Sequence, residues 1–242
     1  MLFVGSFRLR VFVKKMLCTI LEIIHYPMLH PLHGMRRIAY DESLQYIKGK
    51  MTTAICVYTE SDVLKIALRA VQIEGYFLEF GVYKGGTIRF LAKQMGPRVI
   101  HGFDSFKGLP DKWAGASMTE RTFDLHGKLP KVPANVRLHK GLFHESLPKW
   151  LQENQGPMAM IHIDCNLYSS TKVILDLLGK SIVPGTVLVL DEYLNFPNWQ
   201  QHEFRAFQEF VSANNVDYEY LAYSYQCVAV RINAIGGYPT PK

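Results

Sequence analysis

Three aspartates and one glycine-rich turn are the parts of this 242-residue chain whose types and spacing suit chemistry. The segment Glu79-Phe-Gly-Val-Tyr-Lys-Gly-Gly-Thr87 sets a carboxylate and three glycines in the pattern E-x-G-x-x-x-G-G. Glycine in such a place lets a backbone turn pass close to a ligand and brings a helix N-terminus beside it. Asp104 lies twenty-three residues after Gly81, the separation at which an acidic side chain reaches the two hydroxyls of a nucleoside ribose. An ordinary tight turn and a solvated loop carboxylate are the bland alternatives for these two features. Asp164 and Asp191 each close a short apolar run, His162-Ile-Asp164 and Leu190-Asp191. The dinucleotide fingerprint G-x-G-x-x-G is absent, which argues against a nicotinamide-dependent oxidoreductase on a similar sheet.

The elements that must position these residues follow from apolar periodicity. Beyond residue 50 the pattern predicts helices over Ser61–Glu74, Ile88–Met95, Leu147–Gln152, Ser170–Leu178 and Asn198–Asn214. Strands are predicted at Tyr76–Gly81, Arg98–Asp104, Val136–Lys140, Met158–Asp164 and Thr186–Asp191. Two further strands, Asp217–Tyr223 and Gln226–Ile232, close the chain as an antiparallel pair. Alternating strands and crossover helices make an α/β fold with a mostly parallel sheet covered on both faces. Ligands bind such sheets at the carboxyl ends of the strands. Gly81, Asp104, Gly141, Asp164 and Asp191 all fall at those ends.

Four segments together resemble the macrocin O-methyltransferase (TylF-type) family of class I S-adenosylmethionine-dependent enzymes. They are Glu79-Phe-Gly-Val-Tyr-Lys-Gly-Gly-Thr, Gly102-Phe-Asp-Ser-Phe-Lys-Gly-Leu-Pro, His162-Ile-Asp-Cys-Asn-Leu-Tyr-Ser-Ser-Thr and Leu190-Asp-Glu-Tyr. The resemblance covers about residue 50 to residue 232 and leaves residues 1–50 outside it. It implies a Rossmann-like sheet of seven strands, with S-adenosyl-L-methionine over the first strand ends and methyl transfer to a hydroxyl of a small molecule, sugar or glycan. By the same resemblance Glu79, Gly81 and Gly85 line the methionine side, with Tyr83 and Thr87 close by. Asp104 holds the ribose, Ser105 and Phe106 lead into the nucleoside pocket, and Gly141, Leu142 and Phe143 lie near the adenine. Asp164 borders the cofactor, and Asp164, Asp191 and Glu192 correspond to acids through which some relatives hold a divalent metal such as Mg²⁺. Asn166 and Glu192 stand where the family often has aspartate.

That ligand set has a chemical reason. A sulfonium is already a good methyl donor, so the enzyme must align the pair and expose an oxygen nucleophile. A carboxylate with an ordinary pKa near 4 is a poor base for an alcohol. A hard cation on the hydroxyl lowers its pKa, so that Asp164 suffices as base. His202 and His144 are the alternative bases. Tyr193, Asn195, Phe196 and Trp199 either roof the acceptor site or pack under the helix that follows them.

Composition limits the remaining classes. At 48% hydrophobic and 20% charged residues the chain is globular, and no apolar run reaches the roughly 20 residues of a membrane-spanning helix. The net charge of +6 belongs largely to residues 1–50, which carry eight Lys/Arg against three acids. The rest is nearly balanced, at 19 basic against 18 acidic groups, which disfavours a nucleic-acid partner. Residues 1–50 read as a basic, partly apolar helical extension to a domain over 51–242. Within it, residues 7–26 form an amphipathic stretch that packs on its own domain, on a second copy in a homodimer or larger homo-oligomer, or on an anionic membrane surface. A non-catalytic membrane- or partner-binding module built on this basic segment is the rival outside enzymes. Cys18, Cys56, Cys165 and Cys227 show no C-x-x-C spacing, and with no secretory signal read at the start the expected compartment is cytoplasmic.

Overall fold

The computed structural model describes residue 16 and residues 30–113 and 121–236. Among the described residues the chain runs α1 (Pro31–Lys50), β1 (Ile55–Cys56), α2 (Glu60–Ala70), β2 (Tyr76–Phe80), α3 (Gly86–Met95), β3 (Ile100–Asp104) and β4 (Val136–Lys140). It continues through α4 (Phe143–Glu153), β5 (Met158–Ile163), α5 (Tyr168–Leu178), β6 (Val187–Leu190), α6 (Glu203–Ala213), β7 (Asp217–Tyr223) and β8 (Val228–Ala234). The predicted amphipathic stretch at residues 7–26 lies outside the described residues.

The strands form one sheet in the order β1-β7-β8-β6-β5-β2-β3-β4. Parallel pairing holds from β6 through β4, and β8 runs antiparallel to both β6 and β7. This is the expected α/β sheet with its antiparallel closing pair, extended by one short edge strand. β1 pairs only Ile55 and Cys56 with β7, too short a run to leave an apolar pattern in the sequence.

Strand residues alternate between two cores, as the two-residue side-chain period requires. One face buries Leu78, Phe80, Phe103, Ile161 and Leu188 under α1, α4, α5 and α6. The other buries Phe77, Ile100, Met160, Val187 and Val189 under α2 and α3. Three helices differ most from their predicted limits; α6 begins at Glu203 and not at Asn198, because a separate single turn at Trp199–Gln201 precedes it. α2 stops at Ala70 because Val71 turns extended (φ −67°, ψ 118°), and Ile73 instead packs against Gly185. α4 begins at Phe143 and carries Pro148 inside it, the residue that made the periodicity look like a later start.

A cavity at the strand ends and a buried acid cluster

The ladder bonds carry the strand ends side by side. Gly81 N donates to Phe103 O (3.0 Å), Gly141 N to Asp104 O (3.0 Å), Asp164 N to Phe80 O (2.8 Å) and Asp191 N to Ile163 O (3.0 Å). Gly81 has φ +96°, and a Cβ there would lie 1.7 Å from Asp164 O, so only glycine lets β2 and β5 close at this point. Gly85 caps α3 at φ 75°, which turns Gly86 and Thr87 of its first turn toward the space above the sheet.

That space is a cavity of about 470 Å³. Of the residues singled out from sequence, Gly81, Tyr83, Thr87, Asp104, Ser105, Gly141, Leu142, Phe143 and Asp164 line it, and so does the alternative base His144. Asp104 and Asp164 therefore share one wall-to-wall volume. Sequence reasoning missed Lys84, Asp111, Phe123 and Ser169, which also line it, as does Asn166. Ser169 Oγ donates to Asp111 Oδ2 at 2.9 Å across 58 residues of sequence, a pairing that no local pattern announces.

The Asp104 carboxylate is held by the backbone, with Tyr83 N donating to Oδ2 (2.7 Å) and Phe106 N to Oδ1 (2.6 Å). Burial raises its pKa and these bonds oppose the rise. The N–H groups of Val82 and Ser105 add to that opposition, and the carboxyl faces the cavity. Phe106 itself does not face the cavity. Its φ of 56° turns the ring into the core beside Ile88 and Val136, so only its N–H serves the site.

Behind the cavity floor lies a chain of ionisable groups. Glu79, fully buried, pairs through Oε2 with His162 Nδ1 at 3.2 Å on the neighbouring strand, while its Oε1 and His162 Nε2 have no partner. Glu79 thus sits beneath the expected methionine subsite, not on its surface. Burial pushes the Glu79 carboxyl up against the pull of His162. Burial disfavours His162 as a cation, yet its bond to Glu79 and that carboxylate's charge raise its pKa.

Asp164, Asp191 and Glu192 come together as the resemblance implies, with one oxygen from each lying within 4.8 Å of the others. Glu60, His162 and Asp191 converge within the same limit. Burial, then the charges of Asp191 and Glu192, raise the Asp164 carboxyl well above the usual range. Glu192 is raised in the same way by burial and Asp191, and Asp191 is pushed up to about 6 by burial and Glu60. Glu192 Oε2 is buried without a partner. Oxygen-only donors gathered at this distance, with one oxygen unsatisfied, fit a hard divalent cation. Only Asp164 of the three also opens onto the cavity.

Several expectations fall outside the cavity wall. His202 is 6% exposed and packs against Phe196 (ring centroids 5.5 Å), so it does not reach the cavity. Tyr193, Phe196 and Trp199 are buried in the core under α6 and do not roof the acceptor space.

Residues 78–193 match the family described as a methyltransferase domain. In sequence the chain is 27% identical over 184 residues to the 8-demethyl-8-(2,3-dimethoxy-alpha-L-rhamnosyl)-tetracenomycin-C 4'-O-methyltransferase of Streptomyces olivaceus. That alignment covers 68% of this chain and 62% of the relative, so the chain spans less than two thirds of the relative's length. Among solved structures it is similar to the calicheamicin methyltransferase CalS11, with a TM-score of 0.58 and 24% identity, covering 71% of this chain and 78% of that one. The apo form of CalS11, described as a TDP-rhamnose 3'-O-methyltransferase, gives 0.52 and 25% over the same shares. The O-methyltransferase NovP gives 0.53 and 20%, over 71% of this chain and 76% of its own. The chain thus carries, over just under half of its length, a stretch that matches a methyltransferase domain, on a fold similar to that of these solved structures.

Proposed function

We propose that this protein transfers the methyl group of S-adenosylmethionine to a hydroxyl oxygen of a sugar or other small polar acceptor. One observation carries the reading: Asp104 and Asp164 line the same cavity, so a nucleoside held at one end brings its sulfonium toward the acids at the other. Gly81, the first turn of α3 and the Gly141–Phe143 turn form the cofactor wall, and Asp104 accepts the ribose hydroxyls. Asp111, His144, Asn166 and Ser169 offer polar groups to an acceptor in the remaining space. A sugar suits them, and the relatives named above for rhamnosyl substrates support that class.

In the transfer the acceptor oxygen forms a bond to the methyl carbon as the carbon–sulfur bond breaks, and the hydroxyl proton must leave. Asp164 takes that proton, because it alone of the Asp164, Asp191 and Glu192 cluster reaches the cavity and its pKa is raised toward that of a useful base. Asp164, Asp191 and Glu192 would hold a divalent cation such as Mg²⁺, which when bound supplies Lewis-acid polarisation of the acceptor hydroxyl. His144, exposed at the rim, is the runner-up base, and His202 drops out by position. Self-association or membrane contact through residues 7–26, and a reducing cytoplasmic setting for the free Cys56, Cys165 and Cys227, complete the reading.

Calorimetry with S-adenosylhomocysteine tests the cofactor site, with binding expected at micromolar concentration. Flat heats from well-folded protein would remove the proposal. Incubating a metabolite extract with the protein and labelled donor, followed by mass spectrometry, identifies the acceptor. Liposome co-sedimentation of the full chain against one starting near residue 50 tests the membrane contact.

A further inference from the structure

The acids lie on two separate loops. Asp164 follows β5, whereas Asp191 and Glu192 follow β6, and the paired ladder of these strands ends at Ile163 and Leu190. Beyond the bond from Asp191 N to Ile163 O, no ladder contact holds the two loops in register. The Asn166 side chain bonds Glu192 across the gap, and a further group spans the two loops from outside them: Glu203, the first residue of α6, with no exposed surface. Its Oε1 accepts from Cys165 N (3.4 Å) and Asn166 N (3.1 Å), on the loop after β5. Its Oε2 accepts from Glu192 N (3.3 Å), on the loop after β6. One carboxylate thus takes three backbone N–H groups, all at residues that carry or adjoin the cluster acids.

We propose that Glu203 is a positioning residue: its carboxylate clasps the loops after β5 and β6 and so sets the separation between Asp164 and Glu192. It touches neither the cavity nor an acceptor. Its catalytic consequence rests on the methyltransferase reading above. Both carboxyl oxygens accept from backbone N–H groups here, an arrangement that an amide, with a donor in place of one oxygen, cannot reproduce. Glutamine would turn an NH₂ donor onto one of these N–H groups. Aspartate keeps both acceptors but is one methylene shorter.

The clasp is itself anchored. Tyr168 Oη donates to Glu209 Oε2 (2.7 Å), tying α6 to α5. Gln208 Nε2 donates to the hydroxyls of Tyr193 (2.9 Å) and Tyr218 (3.1 Å). The carboxylate therefore projects from a helix fixed at its neighbours, as a residue that determines a spacing must.

Glu203→Gln and Glu203→Asp in the full chain test this with four readouts: amide hydrogen exchange, Mn²⁺ binding, S-adenosylhomocysteine binding and steady-state methyl transfer. For Glu203→Gln, exchange should rise at residues 165, 166 and 192 while the amides of β2 and β3 stay protected. Mn²⁺ affinity and kcat should each fall by roughly 10- to 100-fold, with KM and the S-adenosylhomocysteine affinity held within about twofold. Glu203→Asp should recover part of the loss, and it replaces the glutamine variant if that one does not fold. Unchanged exchange at the three amides overturns the proposal. So does a uniform rise across the sheet with loss of cofactor binding, the mark of a merely structural residue. Should the wild type transfer no methyl group or bind no Mn²⁺, the functional reading fails separately, and the local exchange at 165, 166 and 192 still decides for or against the clasp.

Discussion

At the scale of single residues, the site depends on two atoms that nothing else in the chain can replace. The first is the missing Cβ of Gly81. With φ at +96° and Asp164 O in the way at 1.7 Å, Gly81→Ala must part β2 from β5 or bend both strand ends. A loss of about 2–4 kcal/mol is expected in a denaturant melt. Binding of S-adenosylhomocysteine should weaken with it, because the displaced strand ends form the cofactor wall. The second is the carboxyl oxygen of Asp164 at the cavity surface. Asp164→Asn keeps the shape and removes the proton acceptor, so methyl transfer should fall by roughly a thousandfold. Cofactor affinity should persist, since the proposed ribose contacts are those of Asp104. Wild-type turnover in that variant would strip Asp164 of its role.

At the scale of elements, β3, β4 and α4 meet in a stack remote from the acids. Trp150 Nε1 donates to His101 Nδ1 at 3.0 Å, and His139 Nε2 lies 3.0 Å from the same nitrogen. An indole N–H only donates, so His101 Nδ1 must be the unprotonated acceptor of both bonds. Burial, with His139 and Arg137 beside it, pushes the His101 pKa down to about 4. A histidine held neutral in the fold binds its proton more readily unfolded. Its stability contribution is thus present above about 6.5 and lost as pH falls from there toward 4. About 1–2 kcal/mol is expected once solvent screening of this half-buried ring is allowed for. His101→Gln, which keeps an acceptor, should flatten that acid limb in urea melts across pH, and an unchanged limb would reject the assignment. The contrast in legibility also belongs at this scale. Strand ends could be read because Gly81, Asp104, Gly141, Asp164 and Asp191 each punctuate an apolar run. Glu60, His162 and Glu203 could not, since each acts across a packing interface. Glu203 meets Asn166 over 37 residues of sequence, and on a helical pattern it looks like any first-turn acid. The end of α2 was hidden for a related reason: Val71 and Ile73 keep the helical apolar rhythm while leaving the helix for a contact with Gly185.

At the scale of the whole molecule, the carboxyl-end edge of the sheet concentrates acidic groups that the fold must tolerate. Glu60, Glu79, Asp164, Asp191, Glu192 and Glu203 gather around the ends of β2, β5 and β6, with His162 paired to Glu79 among them. The carboxyls of Glu79, Asp164, Asp191, Glu192 and Glu203 are raised by burial and by neighbouring acids, Asp191 to about 6 and Glu203 to about 8. A carboxyl raised in the fold holds its proton more tightly folded than unfolded, so stability falls as pH rises through the interval between the two values. The molecule without a cation should therefore lose stability between about pH 4 and pH 8 through this cluster, opposite in sign to the His101 limb. A divalent ion competes with those protons for the same oxygens, and it binds the folded chain, where alone the three acids converge. At a hundredfold excess over its Kd it adds about 3 kcal/mol, or roughly 5–10 °C in Tm for a chain of this length. The rise with Mg²⁺ or Mn²⁺ should be larger at pH 8 than at pH 5.5 and should vanish with EDTA. Asp191→Asn separates this from weak surface binding, because it removes an oxyanion that both convergent clusters share. In that variant the cation-induced rise should disappear while the pH dependence of the metal-free protein becomes shallower. A rise in Tm that survives Asp191→Asn would place the ion elsewhere and leave the acid cluster to manage its charge by protonation alone.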